Sequence, residues 1–110
     1  MGIVARGLAA ELEAREATGH PIRVAIIGCG EMGTDLVTQI ARMKGIRVAA
    51  IADRRGTNAI EAIRIARLPA EMAAPVNGLP TLESAIASGK IAIIDDALTI
   101  LRSGQIDVVI

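Results

Sequence analysis

The chain has 110 residues, 52% of them apolar, and its 12 basic and 12 acidic side chains cancel. That length holds one domain with a modest core, and that apolar fraction excludes a disordered tail. The charge balance leaves no overall basic field for nucleic acid, and the single cysteine, Cys29, excludes an intrachain disulfide and argues against a structural zinc site.

Residues 3 to 18 carry a helical pattern, with Leu8 and Leu12 one turn apart and Glu11 and Arg15 spaced i,i+4 on another face. Gly19 stands where a left-handed C-cap belongs, and Pro21 prevents continuation. The pattern predicts an N-terminal accessory helix, residues 1–20, packed on a main domain, residues 21–110. "IRVAIIG" (22–28) is a short apolar run ending in glycine, which predicts a buried strand. Residues 31 to 44 follow the helical period, with Leu36, Val37, Ile40, Ala41 and Met43 in one stripe and Gly45 closing it. "IRVAAIAD" (46–53) predicts a second strand. A helix over about 58 to 67 follows, capped by Thr57 or Asn58, with Ile60, Ile63 and Ala66 facing inward and a capping-box offset from Asn58 to Glu61. Residues 68 to 80 hold three of the four prolines and predict a loop. Thr81 caps a short helix ended by Gly89, and "KIAIID" (90–95) predicts a third strand. Asp95 or Asp96 caps a last helix ended by Gly104, and "IDVVI" (106–110) begins a fourth strand.

Apolar strands alternating with helices imply an α/β fold with a parallel sheet. The expectation is one Rossmann-type half of a doubly wound fold, with four strands in the order 3-2-1-4 flanked by helices. No apolar run approaches the roughly 20 residues that span a bilayer, and the charged N-terminus lacks the long apolar core of a signal peptide. With one cysteine, a reducing and therefore cytoplasmic setting is expected. Phe, Tyr and Trp are absent altogether, although aromatic side chains carry much of the contact area of ordinary ligand pockets. The chain also stops inside a strand. Together these features predict a domain incomplete at its C-terminal end, with the substrate-holding region and the catalytic residues beyond Ile110. The uncovered sheet edge and helix faces predict a homo-oligomer.

The segment "RVAIIGCGEMGTDLVTQIARMKGIRVAAIADRR" (23–55) carries the chemistry. Gly28, Gly30 and Gly33 are spaced G-x-G-x-x-G between a predicted strand and a predicted helix, and Asp53 ends the next strand. Each residue type has a task in a dinucleotide site. Gly28 allows the tight turn, Gly30 lets a pyrophosphate approach the backbone, and Gly33 lets helix and strand pack closely. Free N–H groups at residues 31 to 34 face the phosphates, so Cys29, Glu31 and Met32 belong to the cradle by position. Asp53 accepts hydrogen bonds from the adenosine ribose. The competing reading is a strand–turn–helix that binds nothing, in which Asp53 pairs with Arg54 on a solvated loop.

Glu31 is expected to point to solvent, and Met32 to pack near the turn. Cys29 has no histidine nearby to act as its base, and His20 lies at the wrong end of the first strand for chemistry. Asp95 and Asp96 read as helix caps, and no metal cluster accompanies them. Asp53 repels a 2′-phosphate and favours NAD; Arg54 and Arg55 favour NADP. The basic pair directly after the ribose position tips the expectation slightly toward NADP, or toward use of both.

The same segment, with "SAIASGKIAIIDD" and "SGQIDVVI", resembles the N-terminal domain of the homoserine-dehydrogenase-like oxidoreductases that carry a C-terminal SAF domain. Within that group it is similar to the 1-deoxy-D-xylulose 5-phosphate reductoisomerase-like branch. The resemblance implies an NAD(P)-binding domain followed by a catalytic and dimerisation region that holds a small hydroxy or carbonyl substrate. It matches Gly28, Gly30 and Gly33 to the phosphate loop and Arg54 and Arg55 to a basic pair after the second strand. Asp53 departs from that branch, which lacks an acid there and prefers NADPH. The functional expectation is hydride transfer by the whole protein, with the 110-residue chain itself inactive. The alternatives are a non-catalytic nucleotide-sensing module and a methyltransferase, whose loop more often reads G-x-G-x-G.

Overall fold

The apolar runs become strands of one parallel sheet and the amphipathic stretches become its flanking helices, in a computed structural model that describes residues 3–110. The elements in chain order are α1 (Ile3–Thr18), β1 (Ile22–Ile27), α2 (Glu31–Ala41), β2 (Ile46–Ala52) and α3 (Gly56–Ile65). A 3-10 turn at Ala70–Met72 leads to β3 (Ala73–Pro75), α4 (Leu79–Ala87), β4 (Ile91–Ile94), α5 (Ala97–Leu101) and β5 (Val108–Val109). The class is α/β.

The sheet has five strands in the order β3-β4-β2-β1-β5, not four; the four expected strands, here β1, β2, β4 and β5, keep their expected sequence across the sheet, and β3 is added at the edge beside β4. The additional strand comes from the segment predicted as a loop. Ala73, Ala74 and Pro75 pair with Ile91, Ala92 and Ile93 of β4. Prolines masked this strand, because proline cannot donate to a ladder. At a sheet edge that donor is not needed, so a short edge strand tolerates Pro75.

The core is aliphatic on both faces of the sheet. Val24, Ile26, Val48 and Ile51 pack with Val37 and Ile40 of α2 and Ala59, Ala62 and Ile63 of α3. On the other face, Ala25, Ala49, Ala50 and Ala92 lie under Leu82 and Ile86 of α4 and Ile100 of α5. Small strand residues let those helices approach in the absence of aromatic side chains. The register of β1 on β2 shifts between Val24 and Ala25, so that Ala25 pairs with Ala50 and Ala49 is skipped. A bulge of this kind breaks the two-residue alternation. It puts Val48 and Ile51 on one face although they are three apart.

Accessory helix α1 ends as its sequence predicts. Gly19 has φ +73 and the His20 amide donates to the Arg15 carbonyl at 3.0 Å. Arg15 Nε meets Glu11 Oε1 at 3.1 Å. Leu12 is half-buried, and the expected inward contact of Leu8 lies outside the described side chains. The helix docks on Gly45, where an added Cβ would stand 1.9 Å from the Leu12 carbonyl oxygen and whose amide donates to Glu16 Oε2 at 2.7 Å.

Helix ends depart from expectation in three places. Helix α2 stops at Ala41, and Met43 is 45% exposed rather than part of the stripe, because the chain tightens there into the left-handed Gly45 (φ +73). Helix α3 begins at Gly56 with Arg55 as N-cap and no side-chain cap, so neither Thr57 nor Asn58 caps it, and Ile60 is exposed. Thr81 lies inside α4, where its hydroxyl accepts from the Gly78 amide at 3.2 Å instead of starting the helix. Of the two acids before α5, Asp96 is the cap, accepting from the Leu98 amide at 3.0 Å. No described helix is long and apolar enough to cross a membrane.

Candidate functional site

The chain runs outward from β1 to β2, then β4, and returns to the opposite side of β1 as β5. The carboxyl ends of β1, β2 and β4 therefore open side by side onto a cleft of about 580 Å³, lined by Gly28, Asp53, Arg54, Arg55, Asn58 and Asp95. The order reverses between β1 and β5, where loops diverge at the strand ends, and Gly28 at the end of β1 borders both that point and the cleft.

The three glycines sit in three different settings. Gly28 has φ +83, a left-handed conformation that side chains disfavour, and its amide donates to the Ala52 carbonyl at 2.7 Å. Gly33 is a packing glycine: an added Cβ would lie 2.3 Å from the Gly28 carbonyl oxygen. Gly30 is neither. Its φ is −74, and an added Cβ would meet nothing within 4 Å. It is the N-cap of α2, with no side-chain cap. The Thr34 amide is taken by the Gly30 carbonyl at 3.0 Å, which corrects the expectation that residues 31 to 34 are all free. The amides of Glu31, Met32 and Gly33 donate to no acceptor among the described residues. Three unpaired donors at the positive end of a helix favour an anion.

Asp53 joins the two loops. Its Oδ2 accepts from the Cys29 amide at 2.6 Å, and its Oδ1 from the Arg55 amide at 2.7 Å and from Asn58 Nδ2 at 3.3 Å. Its own amide donates to the Ile94 carbonyl at 3.0 Å. Partial burial works to raise the carboxyl pKa, but these donors and the charge of Arg55 outweigh it and hold the group below the ordinary aspartate value. No ion pair joins Asp53 to Arg54 among the described residues. Arg54 and Arg55 are both exposed on the cleft wall.

Glu31 is exposed, as expected, whereas Met32 is 80% exposed instead of packing near the turn, because it stands on the outer side of the first turn of α2. Cys29 is buried between the glycines, and burial above all raises its thiol pKa, so it stays protonated and unreactive at neutral pH. His20 is exposed at the opposite end of the sheet, its Nδ1 2.9 Å from the Thr18 carbonyl oxygen. No metal-holding cluster of acids, cysteines and histidines occurs among the described residues. Two wall residues carry no signal in the motif. Asn58 resembles a helix cap in sequence, and Asp95 resembles the cap that Asp96 is. Only the convergence of three strand ends brings them to the cleft.

The chain matches no protein-family model, and comparison with curated proteins finds no match.

Proposed function

We propose that the chain is the NAD(P)-binding domain, a Rossmann-type half, of an oxidoreductase that moves hydride to or from a small hydroxy or carbonyl substrate. The observation that carries this reading is Gly30. Turn geometry explains Gly28 and packing explains Gly33, but neither explains a glycine facing open space before three unpaired amides. A pyrophosphate approaching the backbone does explain it. In this reading Gly28, Cys29, Gly30, Glu31, Met32 and Gly33 form the phosphate cradle, Asp53 faces the adenosine ribose, and Arg54 and Arg55 stand where a 2′-phosphate would be recognised. The bound nicotinamide supplies the hydride chemistry, and the protein supplies its orientation. The resemblance to homoserine-dehydrogenase-like, SAF-domain oxidoreductases, with their reductoisomerase-like branch, supports the reaction class.

Gly30→Val separates a binding glycine from a structural one. The added atoms meet open space, so the cost should be that of a poorer N-cap on α2, about 1 kcal/mol. Affinity for both NADH and NADPH should fall by about tenfold or more, equivalent to ~1.4 kcal/mol. Equal affinities for variant and wild type, measured by calorimetric titration, would sink the proposal.

Cofactor choice rests on the two arginines, since Asp53 spends its oxygens on backbone amides of both loops. Arg54→Ala should weaken NADPH roughly tenfold more than NADH. Equal losses for the two nucleotides would remove Arg54 from 2′-phosphate recognition.

A further inference from the structure

A second crevice, of about 380 Å³, lies at the amino end of the sheet, opposite the glycine cleft, and is lined by Arg15, His20, Arg23, Arg47, Ile86 and Asp107. Arg23 and Arg47 are direct partners across β1 and β2. Like charges at paired positions repel, and a fold tolerates them best where something negative lies between them. Asp107 is committed to Arg23: its Oδ2 accepts from the Arg23 amide at 2.8 Å and meets Nε at 3.4 Å. Arg15 is committed to Glu11 at 3.1 Å. Arg47 has no acid among the described residues. Its Nη2 donates to the Ile86 carbonyl at 2.9 Å, at the end of α4, while its Nη1 is buried with no hydrogen-bond partner. A cap on α4 accounts for the first nitrogen and not for the second.

Burial first, and the charge of Arg23 second, hold the Arg47 guanidinium below its ordinary pKa. Both effects disfavour the charged form, and no acid offsets them among the described residues. A buried donor without an acceptor costs about 1–3 kcal/mol, more when charged, and a planar guanidinium is shaped to take two oxygens of one anion.

We propose that this crevice binds a small oxyanion, a phosphate or a carboxylate group, held by Arg47 and Arg23. The site is separate from the nucleotide cleft and does not depend on the function proposed for it.

The test is a titration of the ¹⁵N-labelled chain with inorganic phosphate, and in a second arm with acetate, at constant ionic strength set by chloride. Saturable amide shifts confined to Arg23, Arg47, Asp107 and their neighbours in at least one arm are expected. Arg47→Met, checked for folding by circular dichroism, should lose at least fivefold in affinity. Shifts that do not saturate, that spread evenly over the surface, or that persist unchanged in Arg47→Met overturn the proposal. If Arg47→Met does not fold, Arg23→Gln takes its place. At least a twofold loss is then required, and affinity equal to wild type overturns the site.

Discussion

Gly33→Ala is expected to abolish measurable dinucleotide binding and to destabilise the chain by about 2–4 kcal/mol, the range of overpacking at a site that cannot relax. The added methyl would stand 2.3 Å from the Gly28 carbonyl oxygen and 3.3 Å from its carbon. Neither is the free end of a side chain. Gly28 is fixed from both sides: its amide is bonded to Ala52 of the neighbouring strand, and its φ of +83 leaves little freedom to turn away. Helix α2 cannot retreat easily either, because Val37 and Ile40 are buried on the sheet. Relief must come from opening the turn, which displaces the amides of residues 31 to 33. Chemical denaturation measures the stability loss, and nucleotide titration the binding loss. Gly30→Val and Gly33→Ala form a contrasting pair. The first should lose affinity for about 1 kcal/mol of stability, the loss of a good N-cap; the second should lose affinity and the larger amount, about 2–4 kcal/mol. If Gly33→Ala kept wild-type stability, the tight packing of α2 on the turn would be refuted.

The legible parts of the fold were those governed by local pattern. Helix α1 follows its predicted span because Gly19 and Pro21 punctuate it, and β1, β2 and β4 follow because uninterrupted aliphatic runs mark strands buried on both faces. The parts that were not legible depend on partners distant in sequence. Ala73–Pro75 is a strand only because Ile91–Ile93 lies beside it, and no local pattern of those three residues says so. Helix α3 starts at Gly56, two residues before the predicted start, because Asp53 reaches forward to the Arg55 amide and fixes the turn there. That same contact takes Asn58 away from capping and turns it toward Asp53. In the glycine loop, spacing identified the three positions but could not rank their reasons. The open space at Gly30 and the close approach at Gly33 are properties of the folded turn. The arginines of the opposite crevice gave no motif at all. Arg23 and Arg47 are 24 apart in sequence, as parallel strand partners joined by a helix must be, and only the register places them side by side.

Asp53→Ala should weaken NADH and NADPH together by tenfold or more and lower stability at neutral pH by about 2–3 kcal/mol, the scale of hydrogen bonds to a charged acceptor. The reason is that Asp53 serves the protein before it serves any ligand. One oxygen holds the Cys29 amide inside the glycine loop, and the other holds the Arg55 amide at the start of α3. Removing the carboxylate frees both loops at once, so the losses should not discriminate between the nucleotides, unlike those of Arg54→Ala. The carboxylate also makes the latch pH-dependent. Its folded pKa lies below the ordinary value, so the folded state binds the proton less readily than the unfolded chain does. The stabilisation is therefore complete above the unfolded value, about 3.9, and is lost as pH falls through the lower folded value. Unfolding curves collected from pH 7 downward should show wild type losing stability below about pH 4, with Asp53→Asn flatter over the same range because its amide does not titrate. Parallel acid profiles for wild type and Asp53→Asn would show that this carboxylate is not the latch between the loops.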